Sequence, residues 1–526
     1  MKIKSILVVG GGSSGWMTAA TLQHMFSDDI EVSLIESDKS KTIGVGESTI
    51  QPFNRLLELL DLADEDWMAE CDATYKNSIR FTDFGNIGDQ FEYPFGGLGS
   101  PDYKDPPDFQ TWANLTAKYD LGINSFAELH NDNNFLAMYN RNTKNEDGKL
   151  KFDFNRSTAY HFNAEKFGQF LKKRHPNITH YIDHICGTEK GDDGSLKSVL
   201  GESGKSYSAD LFVDCTGFQS LLLEKEMGSE FISFKPWLSN DSALATHIPY
   251  TNKEEQLTNV TNCTAIENGW VWNIPLWNNM GTGYCYSSDF VDDETAEKEF
   301  KKHLGVDDVD LHKIDIRHGR RKNAWVKNVV GVGLSYAFVE PLESTSLAST
   351  HLLISKLIEV LQRRKFNLTK FDIDGFNFGA TQEIDDARNF VSIHYCLSSR
   401  CDTPYWKYQT QEKSFIDLED EIPSTNMKGM TFSSWYKKIL YQHSSEHIWD
   451  PSDQGVVYIL SGMGHKPISE YYLNWLRLKH PEIDNHLENV YAQWRQYVES
   501  ISSYVKTLPT SYEFLKEHIY GLTDQQ

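Results

Sequence analysis

The first apolar run, Ile6-Leu7-Val8-Val9, is unbroken and stops at three glycines, which is the pattern of a short strand buried on both faces. The strand is read from Ile3 to Val9, and the glycine-rich turn Gly10–Gly15 then leads into Trp16–Leu22, which predicts a helix. Glu31–Glu36 reads as a second strand, so strand, helix and strand follow in the order of a parallel pair with a right-handed crossover. Asp210–Cys215 and Val329–Val332 predict two further strands, and a sheet built from segments so far apart must carry insertions between them. After about residue 380 the period changes. Ile384, Ala387, Val391 and His394 keep helical spacing, as do Ile483, Leu487, Val490, Trp494, Tyr497, Ile501, Tyr504 and Leu508. The expected fold is α/β: a Rossmann-like box assembled from discontinuous segments over residues 1–380, then a mainly helical layer on the sheet over 381–526. The polar stretches 142–151, 189–195 and 201–205 read as surface turns.

Composition narrows the function. The chain has 526 residues, 39% of them hydrophobic, enough for more than one core. Acidic residues outnumber basic ones 75 to 51, a net charge of −24, which argues against binding a nucleic-acid backbone. No stretch approaches the roughly 18 apolar residues of a membrane span, so a soluble chain without an export signal is expected. Seven scattered cysteines without a C-x-x-C pair argue against a disulfide framework or a metal site and suit the cytoplasm.

Gly10, Gly12 and Gly15 form G-x-G-x-x-G between a strand and a helix. In that setting the first glycine permits the turn, the second admits a pyrophosphate, and the third packs helix on strand. Glu36, 21 residues after Gly15, ends the second strand where a carboxylate can accept ribose hydroxyls. This much leaves FAD and NAD equally open. Two weaker features favour the larger cofactor: a second glycine-rich turn, Gly44-Val45-Gly46-Glu47-Ser48-Thr49, and Asp214-Cys215-Thr216-Gly217, which resembles the passage beside FAD in many flavoproteins.

Gly269-Trp270-Val271-Trp272-Asn273-Ile274-Pro275 carries a W-x-W-x-I-P pattern that resembles the signature of flavin-dependent halogenases of the tryptophan-halogenase family. Cys71–Lys76 is similar to that family's catalytic-lysine neighbourhood, and Glu340-Pro341-Leu342-Glu343-Ser344-Thr345 to its E-P-L-E-S-T stretch. The glycine turns, Asp214–Phe218, Asp402-Thr403-Pro404-Tyr405-Trp406 and Leu508-Pro509 match in order, so the likeness covers residues 3–520.

The resemblance implies that reduced FAD, dioxygen and a halide yield hypohalous acid, which reaches Lys76. The lysine then either forms a haloamine or polarises the oxidant for attack by an aromatic carbon. Glu343 would act with Lys76 or take the ring proton as a general base. Trp270 and Trp272, two positions apart on a strand, would face one way and wall off the flavin from direct substrate approach. Backbone N–H groups around Ser344, Thr345 and Ser346 are the expected halide donors, and Gly46, Thr216 and Gly217 join the cofactor set. A separate NAD(P)H-dependent reductase is expected to supply the flavin, with which the lack of a second complete glycine box agrees. The oligomeric state, a homo-oligomer included, stays open.

Three positions depart from the family. Ser346 stands where members commonly carry glycine, and Tyr93, two residues before the aromatic Phe95, stands where tryptophan halogenases carry histidine. Ile448-Trp449-Asp450-Pro451 and Gly455-Val456-Val457-Tyr458 only loosely resemble the segment that holds the amino acid. An indole, phenol or other electron-rich aromatic is therefore expected in place of free tryptophan, with bromide and iodide accepted as well as chloride. The alternatives are an FAD-dependent aromatic hydroxylase and a catalytically silent flavin-binding protein.

Overall fold

The structure, a computed structural model, describes residues 1–39, 46–96, 109–413, 454–466 and 470–521. It divides into two compact units, each built from three separated stretches. The first takes Met1–Ala73, His161–Asp241 and Asp315–Arg388, and the second takes Thr74–Tyr160, Ser242–Ile314 and Asn389–Gln526. Residues 74–160 and 242–314 group with the C-terminal stretch from Asn389.

In the first unit a six-stranded sheet is ordered Trp325–Val326, Val329–Gly331, Leu211–Asp214, Ser5–Val9, Glu31–Glu36, Thr179–Ile182. Ser5–Val9 sits between two parallel neighbours, with Ile6 opposite both Leu211 and Val32. Ile6, Leu7, Val8 and Val9 are all buried, so both faces of this strand are covered, which is why its side chains read as a continuous apolar run. The helix Ser13–Phe26 follows the glycine turn and is buried along most of its length. Two polar connectors are hairpin turns of an antiparallel three-stranded sheet, with Gly194 and Gly204 in the left-handed region at φ 74° and 80°.

The second unit contains a seven-stranded sheet ordered His312–Asp315, Ser242–Ile248, Met280–Tyr286, Gly269–Pro275, Val260–Ile266, Ser78–Thr82, Gln90–Pro94. Val260–Ile266 and Ser78–Thr82 run parallel, and the strands from Ser242 to Pro275 form antiparallel pairs. Leu244, Val271, Tyr284 and Tyr286 pack with Phe300 of the helix Asp293–Leu304 as one apolar core. The helix Ile483–Val505 lays Ile501 and Val505 against Phe135, Leu136, Leu150 and Phe152. Its periodic positions from Ile483 to Tyr504 are helical as read, whereas Leu508 lies beyond its end. Among the described residues no helix is long and apolar enough to cross a membrane. All seven cysteines are free.

Candidate active site

In the first unit the glycine turn does three different things. Gly10 has φ 112°, and a Cβ there would collide with the Cys215 carbonyl, so only glycine lets the first strand's end meet the Asp214–Gly217 passage. At Gly15 a Cβ would strike the Gly10 carbonyl, which is the close helix-to-turn packing the motif requires. Gly12, by contrast, has nothing within 4 Å of a built Cβ. It also N-caps the helix Ser13–Phe26 with no side-chain bond to the first N–H groups. An open position in front of uncapped N–H groups is what a pyrophosphate needs. These residues fit a dinucleotide.

Glu36 is more engaged than its expected ribose role requires. Its Oε1 lies 3.2 Å from Lys172 Nζ and 2.7 Å from His180 Nε2. The other oxygen, Oε2, faces the turn, where a Cβ on Gly11 would run into it. Asp214 is fully buried and spends its carboxylate internally, accepting from Thr216 N–H at 3.0 Å, Thr216 Oγ1 at 2.7 Å, and the N–H groups of Leu222 and Leu223 at 2.8 and 2.7 Å. It therefore shapes the Thr216-Gly217 turn, with Gly217 at φ 67° and open space beyond it. The chemistry of a buried aspartate closing a turn was legible from D-C-T-G only as a resemblance.

Gly46 follows at φ 80°, and Glu47 and Ser48 form a short strand with Ser48 opposite His161. Desolvation pushes the half-buried Glu47 carboxyl up to about 7. Gly44, Val45 and Trp449 lie outside the described residues.

The E-P-L-E-S-T stretch is a tight turn. Pro341–Glu343 form one 3-10 turn, and Ser344, at φ 56°, sits in the left-handed region and opens the helix Thr345–Arg363. A serine rarely adopts that conformation, and such strain gathers at working sites. Two contacts hold it: Ser344 Oγ lies 3.0 Å from Ser48 Oγ, tying two motifs 296 residues apart, and Thr345 Oγ1 donates to the Glu340 carbonyl at 3.3 Å. Glu340 is itself fully buried and accepts from Asn240 Nδ2 at 2.7 Å. Glu343 is 4% exposed. Ser346 lies in the first turn of that helix, and its side chain is outside the described ones. Ser48 and Glu340 stand inside quoted motifs with no role of their own and Asn240 was not singled out, because only the folded chain brings Ser48 to Ser344 and Asn240 to Glu340.

The second unit holds the lysine. Lys76 ends the strand Thr74–Lys76 at 0% exposure, with Nζ 4.8 Å from the centre of the Phe95 ring. Tyr93, on the strand Gln90–Pro94, packs 5.5 Å from the Tyr458 ring and 6.0 Å from Phe390. Gly455 keeps space for it, since a Cβ there would stand 2.9 Å from the Tyr93 hydroxyl. Trp270 and Trp272 are both buried on Gly269–Pro275, with ring centres 6.0 Å apart. Gly283 on the neighbouring strand gives the Trp272 ring its place. The D-T-P-Y-W match proves structural in part: the Thr403 hydroxyl caps the turn at Trp406 N–H, and the Trp406 indole donates to the Ile266 carbonyl at 2.7 Å.

Residues 5–463 match the family model for tryptophan halogenase. The chain is 34% identical over 423 residues to tryptophan 6-halogenase SttH of Streptomyces toxytricini, across 76% of this chain and 80% of that one. It is 29% identical to tryptophan 7-halogenase RebH of Lentzea aerocolonigenes across 98% and 99% of the two chains. Among solved structures it matches that of VirX1 without ligand at 45% identity and a TM-score of 0.92, across 99% of this chain and 100% of that one. The chain therefore belongs to the tryptophan halogenase family of flavin-dependent enzymes.

Proposed function

We propose that this enzyme takes reduced FAD, dioxygen and a halide X⁻, and delivers the oxidised halogen through Lys76 to an electron-rich aromatic of indole or phenol type. The observation that carries the reading is the complete burial of Lys76 beneath Phe95. A buried lysine is costly and rare, and one set against an aromatic ring suits the handling of a small polar oxidant better than it suits stability.

Bound in the Gly10–Gly15 cradle, reduced FAD would supply two of the four electrons that dioxygen takes, the halide giving the other two, in the balance FADH₂ + O₂ + X⁻ + H⁺ → FAD + HOX + H₂O. The rest falls to the chain. Gly12 and the first N–H groups of its helix seat the pyrophosphate, with Glu36, Gly46, Thr216 and Gly217 around the cofactor. Thr345 and Ser346 offer N–H donors to the halide at the start of their helix, whereas Ser344 at the N-cap, expected as a third donor, gives its own N–H to the Pro341 carbonyl at 2.9 Å. Lys76 either donates a hydrogen bond to the HOX oxygen or takes the halogen on its nitrogen. The ring carbon attacks the halogen, Glu343 accepts the ring proton, and ArH + HOX yields ArX + H₂O. Trp270 and Trp272 keep substrate from meeting the flavin directly. Tyr93 and Phe95, with Trp449, belong to the substrate side, as does the helical stretch 381–526.

Tyr93 packs among Tyr458 and Phe390, aromatic surroundings that suit a flat apolar ring more than a zwitterion. This supports a substrate other than free tryptophan, and the serine at 346 supports bromide and iodide at least as well as chloride. A separate NAD(P)H-dependent reductase supplies the flavin. The test is Lys76→Ala, given reduced FAD and each halide in turn with a panel of aromatics. It should still consume dioxygen while halogenated product falls to background. Wild-type product formation would remove Lys76 from the chemistry, and halide-independent hydroxylation by the native enzyme would replace the reading with a monooxygenase. Chloride selectivity on free tryptophan would overturn the substrate and halide assignments alone.

A further inference from the structure

The second unit contains a lattice of buried asparagines that the chemistry above leaves unused. Asn77, Asn131, Asn133, Asn142 and Asn259 are all at most 3% exposed. Asn77 directly follows Lys76, and its N–H donates to the Asn259 carbonyl at 2.7 Å. Its carbonyl accepts from Phe95 N–H at 2.9 Å and from Asn133 Nδ2 at 2.9 Å. The same Nδ2 lies 3.0 Å from the Phe95 carbonyl and 3.0 Å from that of Ser157. One carboxamide nitrogen thus stands where three chain passages meet.

Others brace it. Asn131 Nδ2 donates to the Phe95 carbonyl at 3.2 Å and to that of Gly96. Asn142 Oδ1 accepts from Asn77 Nδ2 at 2.9 Å and from Asn259 Nδ2 at 3.0 Å, and Asn259 Nδ2 reaches the Arg141 carbonyl at 2.9 Å. Asparagine suits the place physically. Carbonyls outside a regular ladder need donors once buried, and a neutral carboxamide supplies them without the cost of a buried charge.

What is braced is the residue after Lys76 on one side and Phe95 itself on the other, the two groups whose side chains lie 4.8 Å apart. We propose that Asn133 is a positioning residue for halogen transfer: by clamping the Asn77 and Phe95 carbonyls it fixes the Lys76 Nζ against the Phe95 ring. The inference rests on Lys76 being the transfer residue. A fixed Lys76 passes the halogen to the ring carbon, with water leaving, before HOX diffuses away intact. A loosened one lets HOX escape, so the consequence is uncoupling and not a slower flavin reaction.

The experiment compares the wild type with Asn133→Asp, which keeps the volume but replaces donors by acceptors, and with the milder Asn133→Ser, which keeps one donor. Three quantities are read: halogenated product per reduced FAD consumed, hypohalous acid caught by a soluble trap, and FAD affinity. Hydrogen exchange over residues 74–82 reports the clamp without turnover. For Asn133→Asp, product per flavin should fall about tenfold to a hundredfold, the loss expected when a reacting group shifts by about 1 Å. Trapped hypohalous acid should rise to match, exchange over 74–82 should quicken, and FAD affinity should hold, with Asn133→Ser between.

Phe300→Leu, in the apolar core of the same unit, controls for lost stability and should leave product per flavin unchanged. An unchanged ratio in both Asn133 variants overturns the proposal, as does a fall in product matched by a fall in FAD affinity with no rise in trapped oxidant. If Asn133→Asp fails to fold, Asn133→Ser decides alone. Lys76→Ala separates the two levels. Should it halogenate at the wild-type rate, the transfer role fails and this inference with it. Should it lose product while the Asn133 variants stay coupled, only this inference fails. In the Lys76→Ala background, Asn133→Asp should add nothing further.

Discussion

Gly12 and Gly10 look alike in the sequence and differ in what a side chain would cost. At Gly12 the backbone φ is −71° and a Cβ meets only open space, so Gly12→Val should fold with an unchanged melting temperature. Its FAD affinity should drop at least about tenfold, or ~1.4 kcal/mol, because the branched side chain stands where the pyrophosphate comes. Titration of FAD onto the folded variant checks this, and unchanged affinity would move the cofactor elsewhere. Gly10→Ala forces a Cβ against the Cys215 carbonyl at positive φ and should lose fold and cofactor together. Glu47 gives a pH signature. Its folded carboxyl sits at about 7, above the ordinary 4.5, so the folded state holds the proton more tightly. Stability attributable to Glu47 is therefore greatest below about 4.5, declines as pH rises toward 7, and stays reduced above that. Glu47→Gln should raise the melting temperature relative to wild type more at pH 8 than at pH 5, and an equal difference at both would show that the carboxyl is hydrated.

Among the elements, the strand Gly269–Pro275 shows how far a motif can be read. The W-x-W spacing predicts two indoles on one face of a strand, and the structure places both rings buried and 6.0 Å apart. Their pairing partner was not legible: Gly283 faces Trp272 across the antiparallel ladder, and its missing side chain is the room the indole occupies. Trp272→Ala should cost about 3–5 kcal/mol through the void left behind. Gly283→Ala should cost about 1–3 kcal/mol by the opposite route, overpacking. Urea unfolding measures both, and a Gly283→Ala variant as stable as wild type would mean that the ring has another place to go. If the pair also screens the flavin, a folded double alanine variant should begin to hydroxylate aromatics.

At the scale of the molecule, neither compact unit is a continuous piece of chain. Residues 381–526 read as a helical module in the sequence, but Ile501 and Val505 bury against Phe135, Leu136, Leu150 and Phe152 from a stretch hundreds of positions earlier. Leu487 likewise packs with Leu115. Expressed alone, 389–526 should lack a cooperative thermal transition by circular dichroism, because half of each apolar contact is missing. A sharp transition would show that the helices are self-sufficient.

The local rules of the chain were enough for the strand, glycine turn, helix and strand from Ser5 to Glu36, because each step depends on neighbours a few residues away. The same holds for the helix Ile483–Val505, whose period is written along one face. The order of motifs likewise sufficed to name the family. What the tertiary structure decided is which distant residues share a burden. Ser48 meets Ser344, Asn240 meets Glu340, and Asn133 joins Asn77 to Phe95 and Ser157. A serine or asparagine carries no periodicity and can bond to nearly any backbone group. Its partner is fixed only when the chain closes around it and every buried donor must find an acceptor.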